Sequence, residues 1–309
     1  MIKYIVKRLI LIIPVIIGIT LFIYLVLALA PGDPASLILG PDATPEQLVE
    51  KRIELGLDQP ILVRYVAYMG SALRGDLGNS WITGIPVMEE FQQRVPNTFM
   101  LALLTLIFTA VFSVIFGTVA AVYQNKPIDS LTLIFALLLS SMPFFWFAML
   151  MQILFAINLG WLPSMGADTL RHFILPAACL SLAGMAGQIR MSRSSMLDVL
   201  SQDYVRTAHA KGVKGFNVVT GHVVRNGLLP VVTNLGIIFA NAFGGAIVTE
   251  TVFAIPGIGI YMITATRTRD VPAVMGVIIF VAIYVALVNL IVDLIYAYID
   301  PRVKMGYSS

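Results

Sequence analysis

Six apolar runs, at residues 9–29, 98–123, 131–159, 172–189, 228–248 and 272–298, constrain this 309-residue chain more than any motif in it. A helix rising 1.5 Å per residue needs about 20 residues to cross roughly 30 Å of hydrocarbon. Backbone polar groups must be paired within such a run, because lipid offers no partner, so the runs fold as helices. Hydrophobic residues make up 58% of the chain and charged ones 12%, against about 25% charged in a soluble domain. The expected fold is therefore an all-α polytopic membrane protein with six transmembrane helices. Lys3, Lys7 and Arg8 precede the first run. That run exceeds the roughly 7–15 apolar residues of a signal peptide, and is read as a retained helix. The fourth run contains Pro176, Gly184 and Gly187, and the fifth Gly236, Gly244 and Gly245. Small residues of this kind suit close helix–helix contact.

Loop charges set the expected orientation. With the N-terminus inside, the inner segments carry Lys3, Lys7, Arg8, Lys126, the basic residues from Arg190 to Arg225, Arg302 and Lys304. The outer segments are then 30–97, 160–171 and 251–271, the first of them rich in Asp and Glu. That bias follows the positive-inside rule and places both termini in the cytoplasm. It also accounts for the net charge of +3 without any nucleic-acid partner. Pro31-Gly32-Asp33-Pro34 stops the first helix. Thr44-Pro45-Glu46-Gln47 reads as a helix start, with Thr44 as N-cap, Pro45 at the first position and Gln47 completing a capping box. Leu48, Val49, Ile53 and Leu55 supply an apolar face, and 61–73 forms a second amphipathic stretch. The division along the chain is thus a first membrane helix over 1–30 and a small helical extracytoplasmic subdomain over 31–97. A five-helix core over 98–300 follows, and then a cytoplasmic tail over 301–309.

Several chemistries are excluded. Cys179 stands alone in an apolar run, so the chain holds no internal disulfide, zinc spacing or haem motif. An intramembrane protease needs a Ser–His pair or two facing aspartates. His172, His209 and His222 fall at or beyond the span ends, and Asp293 has no second aspartate within a span. No G-x-x-x-x-G-K-[ST] phosphate cradle occurs, so any ATP is hydrolysed on another chain. A secondary transporter, with inverted repeats and midplane ionisable sites, suits this sequence less well than a subunit carrying one large polar loop.

That loop lies at 190–227. Asp203 is placed to N-cap a short helix, and Gly212 to end it as a left-handed residue. Such a helix either lies on anionic lipid or docks on a protein. The chain here resembles the permease subunits of binding-protein-dependent ABC importers. Ala208, Gly212 and Leu229-Pro230 fit their signature loop, with Arg206 and Thr207 where the general form begins Glu-Ala. That departure and the long spacer to Pro230 are shared with the peptide, glutathione and nickel permeases of the dipeptide/oligopeptide B type. The same resemblance runs through Gly32-Asp33-Pro34, 55–60, Gly75-Asp76-Leu77-Gly78, Asp203-Tyr204-Val205-Arg206-Thr207-Ala208, Arg225-Asn226, Pro256-Gly257-Ile258-Gly259, 289–293 and Asp300-Pro301-Arg302.

The resemblance implies the type I ABC importer permease fold, in a prokaryotic inner membrane. It makes Asp203, Tyr204, Val205, Arg206, Thr207, Ala208, His209, Ala210, Lys211 and Gly212 the coupling helix that enters a cleft on a separate ATPase. Small Ala208 and Ala210 fit such a groove. The implied partners are two ATP-binding subunits, a second related permease forming a heterodimer, an extracytoplasmic solute-binding protein and membrane lipid. ATP and Mg belong to the ATPases, and this non-catalytic chain binds no cofactor or metal. The implied cargo is a di- or oligopeptide, with glutathione or chelated nickel as alternatives. Gly166-Ala167-Asp168 and 203–213 stand nearest the glutathione/dipeptide branch.

Four further groups carry two readings each. Glu250 is either a solvated interfacial carboxylate or an outer-gate or subunit-contact residue, beside a re-entrant turn at Pro256 and Gly257. Arg269 and Asp270 are either binding-protein contacts or a solvated charge run. Ser141, Met142, Phe144 and Trp146, around Pro143, either line a transport cavity or face lipid. Asn289 and Asp293 read as structural intramembrane polar groups, with a proton relay as the competing reading. Asp at a helix centre costs about 2.5–3.5 kcal/mol to insert.

Overall fold

A computed structural model of the protein describes the backbone of residues 2–299 and the side chains of 8 and 10–294. The tail at 301–309, the Asp300-Pro301-Arg302 motif and the side chains of Lys3 and Lys7 lie outside what is described. Among the described residues the chain is helical, and its only β pairing is one bridge between Asn79 and Pro86. The helices are α1 (Ile2–Leu29), α2 (Pro34–Leu39), α3 (Pro45–Glu54), α4 (Ile61–Ala72), α5 (Val87–Val122), α6 (Pro127–Ser141) and α7 (Phe144–Met151). They continue as α8 (Leu170–Leu200), α9 (Asp203–Ala210), α10 (Gly215–Val218), α11 (Arg225–Phe253), α12 (Ile258–Arg267) and α13 (Val271–Ile299). Widened π-helical turns extend α7 over Gln152–Asn158 and join α10 to α11 over Val219–Val224.

Among the described residues five helices are long and apolar enough to cross a membrane, or six if the bent pair α6–α7 counts as one span. The expectation of one continuous span over 131–159 is corrected by that pair, which is bent by 101°. Met142 before Pro143 is extended, at φ −78° and ψ 137°, because the proline ring disfavours a helical residue ahead of it. The other departures lengthen spans. α8 carries on past residue 189 to Leu200, and the fifth span begins at Gly215.

The described chain forms two compact units. One runs from the N-terminus to Thr98 and takes in Pro256–Leu287; the other holds Phe99–Ile255 and the chain from Val288 on. The return of 256–287 to the N-terminal residues is a tertiary feature with no local signal. In the first unit the core is Leu77, Val87, Phe91, Ile258, Tyr261, Ala265, Val274 and Val277. The Thr44 capping box forms in full, with Gln47 N donating to Thr44 Oγ1 at 3.3 Å and Thr44 N to Gln47 Oε1 at 2.9 Å. No residue of α3 is buried, and Val49 and Ile53 of its apolar face are exposed. An ion pair at 3.0 Å between Arg52 and Asp33, the N-cap of α2, ties α3 to its neighbour instead.

In the second unit α8 packs along α11. Gln188 is fully buried between them, donating to Val231 O at 3.0 Å and accepting from Asn234 Nδ2. Ser195 Oγ donates to Gly227 O at 2.6 Å. Such polar pairs lock helix register where the surroundings offer no water. On an adjoining face of α8, a Cβ at Gly117 of α5 would meet the backbone N of Arg193 and O of Ile189 at 3.0 Å. The two helices touch there backbone to backbone.

Candidate functional site

The basic segment is folded, and only part of it is free. α8 stays helical through Gln188–Leu200, turns at Ser201 and Gln202, and hands over to α9. Gln202, not Asp203, is the N-cap residue of α9. Asp203 is the first helical residue, where its charge complements the helix dipole. The C-terminus forms a full Schellman motif. Gly212 takes φ +78°, its N–H bonds His209 O at 2.9 Å, and Val213 N bonds Ala208 O at 3.3 Å.

Val205 and Ala208 face inward, 2% and 8% exposed, against Ala121, Met196, Val218 and Val223. Ala208 is therefore part of the chain's own packing rather than of a surface that enters a foreign groove. The face left open presents Tyr204, Arg206, Thr207, His209, Ala210, Lys211 and Gly212, with exposed Phe216 on the following turn. α9 is thus a short knob clamped on one side and capped at its end. Arg193, counted with the basic cluster in the sequence, is withdrawn from it. Its Nε and Nη2 donate to Asp129 Oδ1 and Oδ2 at 2.7 and 2.6 Å, joining α8 to α6. Asp129 also accepts from Asn125 N at 3.0 Å. No motif marks that pair, although Asp129 is the one acid among residues 124–130, beside the single Lys126.

Glu250 is fully buried in the last turn of α11, which removes the solvated reading. Its carbonyl accepts Ile255 N at 2.9 Å, after a left-handed Ala254. Gln152 Nε2 bridges Ser164 O and Val252 O at 2.9 and 3.3 Å, and Gly166 N bonds Phe253 O at 3.0 Å. Those contacts embed the end of α11 within the second unit.

Pro256, Gly257, Arg269 and Asp270 belong to the first unit. Pro256 is exposed, with its carbonyl held by Asn97 Nδ2 at 3.0 Å, and buried Gly257 starts α12. Asp270 is 2% exposed and is no part of a solvated charge run. It accepts from Ser80 Oγ, from Trp81 N at 3.1 Å and, as the cap of α13, from Ala273 N at 3.3 Å. Arg269 spends its guanidinium on the carbonyls of Ala30, Pro31 and Gly32. Gly32 has φ +112°, and a Cβ there would meet Arg269 Cζ at 3.2 Å. Gly32→Ala is expected to cost about 1–3 kcal/mol through strain and lost clamp bonds, read as a lower melting temperature of the detergent-solubilised protein.

Around Pro143 the side chains diverge. Phe145 and Trp146 are exposed and Phe144 packs on the core. A cavity of about 380 Å³ is lined from this segment by Phe147 and Met151, with Phe112, Phe116, Phe135 and Cys179 among its other walls. Ser141, Met142, Phe144 and Trp146 do not line it. Asn289 and Asp293 are half-buried one turn apart on α13.

Comparison with known proteins gives this arrangement its kin. Residues 113–305 match the family described as binding-protein-dependent transport system inner membrane component, and 1–102 match the N-terminal part of that system's membrane component. The dipeptide transport system permease protein DppB of Alkalihalophilus pseudofirmus is 40% identical over 332 residues, covering 98% of this chain and all of that one. The glutathione transport system permease protein GsiC of Escherichia coli K12 is 38% identical over 304 residues, covering 98% of this chain and 99% of its own. An inward-facing structure of the MetNI methionine ABC transporter aligns with a TM-score of 0.59 at 16% identity, over 69% of this chain and 97% of that one. This likeness shows a shared fold. With both family matches, near-complete coverage and the importer fold in agreement, the chain belongs to the binding-protein-dependent transport system inner membrane components, as an ABC importer permease of the peptide/glutathione type.

Proposed function

We propose that this chain carries di- or oligopeptides across a bacterial inner membrane by alternating access, as one of two related permeases. Its own residues do no covalent chemistry. ATP and Mg act on two separate ATPase subunits, and an outer solute-binding protein delivers the cargo. Both termini and α9 then lie in the cytoplasm, in keeping with the basic residues gathered there.

The observation that carries the reading is α9, a capped helix pinned by Val205 and Ala208 and open along Tyr204, Thr207 and Lys211. A lever transmits force only if its own seat is rigid, and this one is anchored to α5, α8 and the α10–α11 junction. Arg206, Lys211 and Lys214 are exposed for acidic partners. Glu250, Asn289 and Asp293 are assigned to helix contacts within the chain, not to proton transfer.

A glutathione cargo is the second reading, favoured by the GsiC likeness at nearly the same identity. Both are tested by purifying the complex through a tag on this chain and reconstituting it in liposomes with labelled dipeptide or glutathione. Accumulation of dipeptide that requires ATP and the co-purified ATPases is expected. Uptake without ATP overturns the importer reading; uptake of glutathione alone selects the second cargo.

A further inference from the structure

Helix α4 sits in the segment that reads as an extracytoplasmic subdomain, yet its free face is not made for water. Its inward side, Ile61, Arg64, Tyr65, Tyr68, Met69 and Ala72, is buried or half-buried. The outward side carries Leu62, Val63 and Val66 at 60%, 52% and 67% exposure, and Leu73 follows at 83%. Arg64 is the one charge in the helix, and it stacks on the Tyr24 ring at 5.8 Å. Neighbouring α3 differs, having five charges in ten residues.

Two observations place α4 at membrane depth. The Tyr65 hydroxyl donates to Ile17 O at 3.0 Å and lies 3.0 Å from Thr20 Oγ1. Those residues stand about 18 and 14 Å along α1 from its Leu29 end, at 1.5 Å per residue. Both fall inside the apolar span Ile10–Leu29. Second, Tyr65 gathers Tyr24, Tyr68 and Trp81 into one cluster. Amphipathic aromatics collect at the membrane–water boundary.

We propose that α4 is a membrane-seated helix whose outward face, Leu62, Val63, Val66 and Leu73, is covered by lipid acyl chains. α1 itself exposes Ile17, Ile19, Phe22 and Val26 along the same apolar span. Tyr65 is the stake between the two helices. The segment 31–97 is then divided, with α3 in water and α4 in the leaflet beside it. The anchoring holds on whichever side of the membrane the segment lies.

Nitroxide labels at Leu62→Cys, Val66→Cys and Glu50→Cys, in a chain with Cys179→Ala, measure this in the reconstituted complex. Collision with oxygen is expected to exceed collision with a water-soluble nickel chelate several-fold at 62 and 66, and the order to reverse at 50. Free access of the chelate to 62 and 66 shows a water-facing helix and overturns the proposal. Shielding from both reagents shows a protein cover and overturns it equally. A photoactivatable acyl-chain phospholipid applied to the unmodified complex decides without substitutions. Adducts are expected within 61–74 and not within 45–54; labelling of neither, with α1 labelled, refutes it.

Discussion

Gly212→Glu is expected to cut ATP-driven uptake at least about tenfold, a loss of about 1.4 kcal/mol in coupling, while the subunit still folds and assembles. Gly212 stands at φ +78° with open space around its Cα, so a larger side chain meets no atom of its own chain. The backbone cost of holding an L-residue there is about 1–2 kcal/mol and local to the cap. What changes is the surface offered to the proposed ATPase, where a carboxylate replaces a bare turn beside Lys211. Gly212→Asn separates the two effects, since asparagine tolerates the left-handed conformation and adds no charge. Uptake is expected to survive in Gly212→Asn and fail in Gly212→Glu. The ratio of peptide transported to ATP hydrolysed is the readout. Normal transport by Gly212→Glu removes α9 from the coupling role. Ala208→Leu does not serve this test, because Ala208 faces Met196, Val218 and Val223 and its enlargement disturbs the fold.

The second large effect is structural. Asp129→Ala leaves Arg193 without its bidentate partner on side chains only 6% and 22% exposed. Removing one member of a buried pair costs about 3–5 kcal/mol. The partial exposure of Arg193 brings the expectation to about 2–4 kcal/mol. The penalty is expected as a lower melting temperature and poor recovery from the membrane. Asp129→Ala with Arg193→Met is expected to be more stable than Asp129→Ala alone, since no stranded charge remains. If the double substitution is the worse of the two, the pair is held by something other than its mutual neutralisation.

Much of this was readable along the chain. Thr44, Pro45 and Gln47 form the capping box their order implies, and Gly212 ends α9 in the left-handed region, because capping is chemistry within four or five residues. The candidates that changed meaning are those whose partners are remote in sequence. Arg269 and Asp270 look like surface charges until Ala30–Gly32 and Ser80 arrive beside them, some 190–240 residues away in the chain. Arg193 looks like part of a docking patch until Asp129 claims it. Ala208 looks like a small residue suited to a foreign groove, yet its own helix turns it inward.

By itself the sequence determined the class, the approximate spans and the kinship, since hydrophobic length and short motifs are local quantities. Tertiary structure alone decided the return of 256–287 to the first unit. It also decided which charges remain free and how deep α4 lies. Each of these depends on which groups meet across long stretches of chain. The same Arg, Glu or Tyr is a contact surface or a fastening according to what packs against it.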